Sequence, residues 1–469
     1  MQLDSYQIGM PTSLLSRIHA GRGAQPSNVK PTVIIGLGRT GLSCARFLHG
    51  RGVPICVVDS RVSPPELESL RSELPEVPVT LGSFDEHVMA GADALVVSPG
   101  VSLEEPALRH AMNSGIPVVG DIELFAHAVQ ASVIAVTGSN GKSTVTRLVG
   151  AMAEAEGLVV RVGGNIGPPA LALLEGPQPD LFILELSSFQ LETTHSLDAV
   201  AAVVLNVSED HMDRYTDLAA YTAAKQRIFR GHGVMVLNLD DSLVAVMRAP
   251  DRWTIGFTLD APQEDDVGLI DAFGGPWIAR GVSPVIPVSA LKLRGSANVA
   301  NALAACALGY AAGFSVEAMQ TALLRFRGLP HRCQWVTTLK GVHWYNDSKA
   351  TNVGATLAAI TGLPTKGRLV VIAGGQGKGA NFRPLREAVR GRVRAMVLMG
   401  QDAGRIAEAV GGAVTVIHVT DMEQAVKKAK ELAQPGDAVL LSPACASFDM
   451  YRNFEERGAA FVRAVCGGK

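Results

Sequence analysis

The chain has 469 residues, 47% hydrophobic, 18% charged and 5% aromatic, which excludes a disordered or fibrous polymer. It predicts on the order of two to four α/β domains, since one core serves roughly 100 to 200 residues. With 42 basic against 44 acidic residues the net charge is -2, so no overall positive field points to nucleic acid or an anionic membrane, and small anionic ligands remain open.

Residues 1–30 are polar and Gly-rich after "SLLSRI" and lack the continuous apolar core of a signal peptide. No run approaches the roughly 18 apolar residues that span a bilayer. The six cysteines, Cys44, Cys56, Cys306, Cys333, Cys445 and Cys466, show neither a C-x-x-C pair nor zinc-ligand spacing with histidine. They read as reduced thiols, and the expected setting is the cytoplasm.

After the tail, a first domain is expected to close near residue 120. Its strands are "TVIIG", "PICVVD", "VPVTLG", "ADALVVSPG" and "IPVVG", with the helical "LSCARFLHG" between the first two. Gly36, Gly38 and Gly41 follow Val33-Ile34-Ile35 in G-x-G-x-x-G spacing, and Asp59 stands about 20 residues on, the dinucleotide fingerprint of a Rossmann-like fold. The spacing fits an NAD(P)-dependent oxidoreductase. It fits equally any loop whose glycines and helix N-terminus hold the diphosphate of another nucleotide.

A second domain, 121–328, opens with "VIAVTGSNGKST". An apolar strand runs into a glycine turn ending in Lys142, Ser143 and Thr144, and the next segment carries Val145, Leu148, Val149 and Met152 at helical spacing. Backbone N–H groups of such a loop surround phosphate oxygens, the lysine reaches the terminal phosphates and a hydroxyl holds Mg²⁺. Val136 stands where the general G-x-x-x-x-G-K-[ST] form has its first glycine, so Gly138 opens a shortened version. The bland alternative is a glycine turn with a surface lysine. Strands are expected at "LVVRVGGNIG", "LFILELSS", "AVAAVVLNVSEDH" and "GVMVLNLDD", then an irregular stretch around 260–290 and the helical "SANVANALAACALGYAAG".

The turn-rich "RGLPHR" is the natural linker to a third domain, 329–469, with strands at "VHWYNDS", "RLVVIAGG", "RAMVLMG", "VTVIHV" and "DAVLLSPACAS". A helix is expected over "SFDMYRNFEERG". The fold class is therefore α/β, three domains each with a largely parallel sheet and flanking helices: Rossmann-like at both ends and P-loop ATPase-like in the middle.

In order and spacing, "TGSNGKST", "GGNIG", "ELSSFQLE", "NVSEDHMDRY", "YNDSKATN", "GGQGKGANF" and "SPACASFDMYRNFEERG" resemble the Mur ligases of bacterial cell-wall synthesis, from about Val33 to the C-terminus. The resemblance implies an ADP-forming ligase that phosphorylates a carboxylate to an acyl phosphate, which an amino acid's amine then displaces. The last motif and the front "GLGRTGLS" resemble the branch that joins D-glutamate to UDP-N-acetylmuramoyl-L-alanine for peptidoglycan, and so serves cell shape and division. ATP and Mg²⁺ are the implied cofactors. The implied partners are these small molecules, without nucleic acid or membrane insertion, and a monomer is expected.

The same resemblance implies the residue roles. Gly138, Ser139, Asn140, Gly141, Lys142, Ser143 and Thr144 would hold the ATP phosphates, with Asn301, Arg332 and Asp347 at the adenine, phosphate and ribose regions. Relatives commonly have histidine where Ala297 precedes Asn298, which leaves the contacts around Asn298 open. Ser143, Glu185, His211 and Lys225, the last as a carbamate, would hold Mg²⁺; Lys142, Glu185, His211, Lys225 and Lys349 would be catalytic. Arg39, Thr40, Asp59, Ser60 and Gly100 would bind the UDP part of the substrate, and Asn165 would orient its muramoyl-alanine end. Lys349, Thr351, Lys378, Ser447, Phe448 and Phe454 would receive D-glutamate, helped by free N–H groups of a helix beginning at Ser447.

Chemistry alone leaves plainer roles open. His211 could be a turn residue, Lys225 a solvated helix lysine, Asp347 and Ser447 helix caps, and Phe448 and Phe454 core residues. A related folylpolyglutamate-type ligase and a non-catalytic ATP-binding switch are further readings. The short linker also predicts that the third domain swings in once ATP is bound.

Overall fold

A computed structural model describes residues 10–20, 30–293 and 295–467. Part of the expected tail, residues 1–9 and 21–29, lies outside these. Between them Thr12–Ala20 is a helix that buries Leu14 and Ile18 against the first domain's core.

The first sheet has five parallel strands in the spatial order Val79–Leu81, Ile55–Asp59, Thr32–Ile35, Ala94–Val97, Val118–Val119. Helices cover both faces, so the central strands are unbroken Val/Ile runs rather than alternating ones. Strand order reverses beside Thr32–Ile35, and the loops after it and after Ala94–Val97 diverge to leave a crevice at their carboxyl ends.

The second sheet has nine strands, in the order Ser283–Pro287, Gly275–Arg280, Val267–Ala272, Thr254–Phe257, Val234–Asn238, Ala201–Val204, Ser132–Thr137, Leu181–Glu185, Val160–Gly164. The stretch expected to be irregular around 260–290 is instead an antiparallel extension of this sheet. Its hairpin turn was hidden from the sequence because Phe273 takes the left-handed position, φ 51°, beside Gly274 at 86°; asparagine or glycine ordinarily marks that position. The expected helix after the nucleotide loop spans Lys142–Ala155 and buries Val145, Leu148, Val149 and Met152 completely. It packs against Ser296–Ala311 and Val316–Arg325.

The third sheet runs Gln334–Leu339, Val342–Asn346, Ala438–Leu441, Leu369–Ala373, Val393–Leu398, Thr415–His418. It is parallel except for the edge strand Gln334–Leu339, which pairs antiparallel with its neighbour. That strand was not anticipated; much of it faces solvent, so it lacks the apolar run of a buried strand. The last helix also differs from expectation. It spans Phe454–Cys466 with Asn453 as its cap, and Ser447 to Asn453 form turns.

Candidate active site

Strand Ser132–Thr137 delivers Gly138–Gly141 to the N-terminus of helix Lys142–Ala155, where no side chain caps the helix and its first N–H groups are free for an anion. Gly141 has φ +85°, and a Cβ there would lie 2.3 Å from Asn301 Oδ1, so Asn301 closes directly over the turn. The "NVSEDH" segment braces the loop: Ser139 N–H donates to Asn206 O at 2.9 Å and Asn140 N–H to Asn206 Oδ1 at 2.8 Å. Lys142 Nζ donates to the Gly138 and Ser139 carbonyls at 2.7 and 3.0 Å. Thr144 is buried behind it.

The second and third domains meet at the next residue. Ser143 Oγ donates to Glu185 Oε2 at 2.6 Å and accepts from the Arg332 guanidinium at 2.5 Å. Asn165 Nδ2 donates to the other Glu185 oxygen at 2.7 Å. Glu185 ends the buried strand Leu181–Glu185, where an anion requires such compensation.

Lys225 is not a solvated helix lysine. Helix Leu218–Gln226 turns Tyr221, Ala224 and Lys225 inward, leaving Lys225 1% exposed. Its Nζ donates to Gly138 O at 2.9 Å and sits 4.5 Å from the Tyr221 ring centre. Burial, with Lys142 nearby, pushes its pKa well below the ordinary amine range. Burial also lowers Lys142, against the attraction of Glu185 and Asp210, and lowers Arg332. Burial of this kind favours the neutral amine, the form that can act as a nucleophile.

His211 takes a left-handed backbone, φ 58°, and donates its N–H to Asp210 Oδ1 at 3.0 Å. Its ring meets Phe189 edge-on with centres 4.8 Å apart. Burial lowers its pKa, opposed by Asp210 and reinforced by Lys378 and Lys142, which favours the neutral ring a metal ligand needs. Among the described residues no group of three or more His, Cys, Asp and Glu is placed to hold a metal. The pair Ser143 and Glu185 still fits Mg²⁺, a hard ion that takes one or two carboxylates and completes its shell with waters and substrate phosphates.

Arg39, Thr40, Asp59, Ser60, Gly100 and Asn165 line a single cavity of about 680 Å³ at the crevice of the first sheet. Arg61, Phe84, Ser98 and Gln190 line it too and were missed; Arg61 alone had a sequence signal, its position two residues after Asp59. Arg39 donates to Gly167 O at 3.0 Å, tying this loop to the second domain. Both Asp59 oxygens are engaged, by Leu37 N–H and by the backbone and guanidinium of Arg61.

On the third domain, Lys349 Nζ lies 4.1 Å from the Phe454 ring centre. Burial, then the neighbouring charges of Arg332 and Lys142, bring its pKa down to about 8. Asp347 accepts from Cys333 N–H at 3.0 Å and Ser442 Oγ at 2.9 Å, and burial raises it to about 7. It caps no helix; Asn352 caps Val353–Gly362. Thr351 lies in the turn between Lys349 and that cap. Lys378 stands at φ 50° in the "GGQGKG" turn, close enough to His211 to act on its charge.

Ser447 is buried but caps nothing, and its carbonyl accepts from Met450 and Tyr451 N–H. The helix N–H groups expected there open at Phe454 instead, because Asn453 accepts from Glu456 N–H and starts the helix six residues later. Phe448 is 65% exposed, and half-buried Phe454 lies beside Lys349 and meets the His331 ring edge-on, so neither is a core residue. Sequence reading also missed buried Arg457, which donates to Ser348 Oγ, Ser348 O and Ala446 O and so joins the "NDSKAT" and "SPACAS" loops.

Comparison with known proteins gives the family of the chain. Three family models match in succession: the Mur ligase MurD-like N-terminal domain over residues 30–120, the Mur ligase middle domain over 136–309 and the Mur ligase glutamate ligase domain over 331–445. The UDP-N-acetylmuramoylalanine--D-glutamate ligase of Nitrosococcus oceani is 57% identical, the match covering 94% of this chain and 97% of that one. The enzyme of the same name from Marinobacter nauticus is 53% identical over 93% and 98%. The MurF ligase of Thermotoga maritima, solved in complex with ADP, shares the fold with a TM-score of 0.58 at 16% identity, covering 94% of each chain. Matched in order by all three domain models and by relatives along nearly their whole length, the chain belongs to the Mur ligase family.

Proposed function

We propose that the protein joins D-glutamate to UDP-N-acetylmuramoyl-L-alanine, converting ATP to ADP and phosphate, in the synthesis of peptidoglycan precursors. The observation that carries this reading is the hydrogen-bonded series Asn165, Glu185, Ser143, Arg332, which runs from the first-domain cavity through the nucleotide loop to the third domain. The names of the relatives supply the substrates.

Arg39, Thr40, Ser60 and Gly100 hold the UDP moiety, Asp59 acts there through Arg61, whose guanidinium it fixes at the cavity, and Asn165 orients the alanine carboxylate towards the loop. Gly138 to Thr144 cradle the ATP phosphates, with Asn301, Arg332 and Asp347 along the nucleotide. The carboxylate oxygen attacks the γ-phosphorus and ADP leaves; Lys142 and Arg332 offset the repulsion between the two anions. Ser143 and Glu185, with His211 and carbamylated Lys225, would hold Mg²⁺, which supplies further charge neutralisation at the phosphates. Lys349, Thr351, Lys378, Ser447, Phe448 and Phe454 receive D-glutamate. Its amine attacks the acyl carbon, phosphate departs and a proton is lost from nitrogen.

The domains divide near residues 120 and 328. The protein acts in the cytoplasm as a monomer on small molecules, without nucleic acid or membrane insertion. The deciding measurement is ADP release by pure protein with ATP, Mg²⁺ and UDP-N-acetylmuramoyl-L-alanine, with and without D-glutamate, L-glutamate, L-lysine or diaminopimelate. Release that requires D-glutamate supports the reading. Dependence on another amino acid overturns the substrate, and no release with any of them overturns the ligase.

A further inference from the structure

The turn that carries Lys349 and Thr351 ends at Asn352, a buried residue whose amide is used on both sides. Its Oδ1 accepts from Ala355 N–H at 2.8 Å and caps helix Val353–Gly362. Its Nδ2 leaves the third domain and donates to Asn140 Oδ1 of the nucleotide loop at 3.2 Å and to Asp210 Oδ2 at 3.0 Å. Neither acceptor is loose. Asn140 exchanges two hydrogen bonds with the Asn206 side chain, at 2.8 and 3.1 Å, and the other Asp210 oxygen accepts from His211 N–H. Two residues on, a Cβ at Gly354 would fall 2.6 Å from Ser208 Oγ, so the helix end meets the second domain as closely as glycine permits.

We propose that Asn352 is a positioning residue, the latch that seats the third domain on the nucleotide loop and thereby fixes Lys349 and Thr351 relative to Lys142 and Ser143. The assignment rests on reading Gly138–Thr144 as the ATP loop. Its chemistry is directional. The cap needs an acceptor at 352, whereas the latch needs a donor, and an amide supplies the two on separate atoms that point to opposite sides. A carboxylate at 352 keeps the cap but faces Asp210 at hydrogen-bonding distance, two like charges in contact. Exchanging the partners, aspartate at 352 with asparagine at 210, restores the donor from the opposite side and leaves an oxygen for His211 N–H.

The test compares wild type, Asn352→Asp, Asn352→Ser and the double variant Asn352→Asp/Asp210→Asn. Each is measured by small-angle scattering with saturating non-hydrolysable ATP analogue and Mg²⁺, by thermal unfolding, and by kcat/KM for D-glutamate. Serine is a strong N-cap but too short to reach both acceptors. Both single variants are expected to scatter as more extended particles and to lose about 10- to 100-fold in kcat/KM for D-glutamate, the scale of losing a hydrogen bond to a charged partner. Their Tm should match wild type, which a purely structural cap would not allow for all three readouts together. The double variant should return to the compact profile. An Asn352→Asp protein as compact as wild type, or a double variant as extended as Asn352→Asp, overturns the latch. Compaction that follows this pattern in a protein lacking D-glutamate-dependent ADP release keeps the latch and overturns the functional reading instead.

Discussion

Arg332 and Ser143 stand 189 positions apart in the chain, yet the guanidinium donates to the hydroxyl at 2.5 Å. Because the same hydroxyl donates to Glu185 at 2.6 Å, Ser143 separates a partly buried cation from a buried anion while holding both. Ser143→Ala removes two charge-assisted hydrogen bonds, each worth about 1.5–3 kcal/mol. The expected result is a loss of about 100-fold or more in kcat/KM for ATP, with Ser143→Thr retaining most of the activity because it keeps the oxygen. Steady-state ADP release measures both variants. An alanine variant as active as wild type would remove Ser143 from the proposed phosphate and Mg²⁺ site.

Lys225 makes a different kind of prediction, because its neutral amine is the form that adds to carbon dioxide, forming an N–C bond and releasing a proton. The wild-type enzyme is expected to gain activity when bicarbonate is restored to a depleted buffer, and labelled bicarbonate should give a carbamate carbon resonance that Lys225→Ala lacks. Short carboxylic acids should partly rescue Lys225→Ala by supplying the missing oxygens. A wild type indifferent to bicarbonate and showing no labelled carbamate would leave Lys225 as an amine bound to Gly138 O.

Asp59 answers whether the fingerprint serves a nicotinamide cofactor. Its two oxygens accept four hydrogen bonds, from Leu37 N–H and from Arg61 N–H, Nε and Nη2, leaving no lone pair for a ribose hydroxyl. Fluorescence titration with NADH is therefore expected to show no saturable binding; tight binding would revive the oxidoreductase. Burial alone would raise this carboxyl, but the bonds from Arg61 and Leu37 outweigh it and hold it at about 2, below the ordinary 3.8. A carboxyl whose folded pKa is depressed stabilises the fold above its unfolded pKa and loses that contribution as pH falls through the folded one. The stability gap between wild type and Asp59→Ala, about 1–3 kcal/mol at neutral pH from the orphaned Leu37 N–H and Arg61, should hold down to about pH 4 and narrow towards pH 2. Urea titrations across that range provide the check.

What the sequence disclosed is what local periodicity encodes. Val145, Leu148, Val149 and Met152 announce a buried helix face, and the Val/Ile runs announce strands covered on both sides. Six cavity residues were legible through the resemblance of their motifs to the Mur ligases, and in the fold they lie together around one crevice. The rest depends on approach in space. Gln190 enters the same cavity from a different domain, and nothing around Lys225 in the sequence signals that Tyr221 and Ala224 turn the helix inward. The last helix starts at Asn453 rather than Ser447 because both residues are good caps and only the turns over 447–453 choose between them. Asn352 reads as an ordinary cap, since its second use requires Asn140 and Asp210 to arrive from 212 and 142 positions away.

Lys349 is expected to set the pH dependence of amino-acid binding. Burial and the charges of Arg332 and Lys142 bring its pKa from 10.5 to about 8, so it is an ammonium below that value and a neutral amine above it. If the ammonium receives a carboxylate of D-glutamate, kcat/KM for D-glutamate falls as pH rises through about 8. The free-base fraction of the D-glutamate amine grows over the same range, so titration of the nucleophile gives the opposite slope. Stability also moves the other way: the unfolded lysine still binds its proton between about 8 and 10.5 while the folded one does not, so unfolding free energy rises with pH across that window. Lys349→Arg stays charged and should push the falling limb to higher pH while retaining measurable activity, whereas Lys349→Met should lose about 100-fold or more in kcat/KM, the scale of leaving a bound carboxylate without its charged partner. A wild-type profile that stays level through pH 8, or a falling limb unmoved by arginine, would assign the carboxylate to Lys378 or another group and leave Lys349 to the phosphate side of the site.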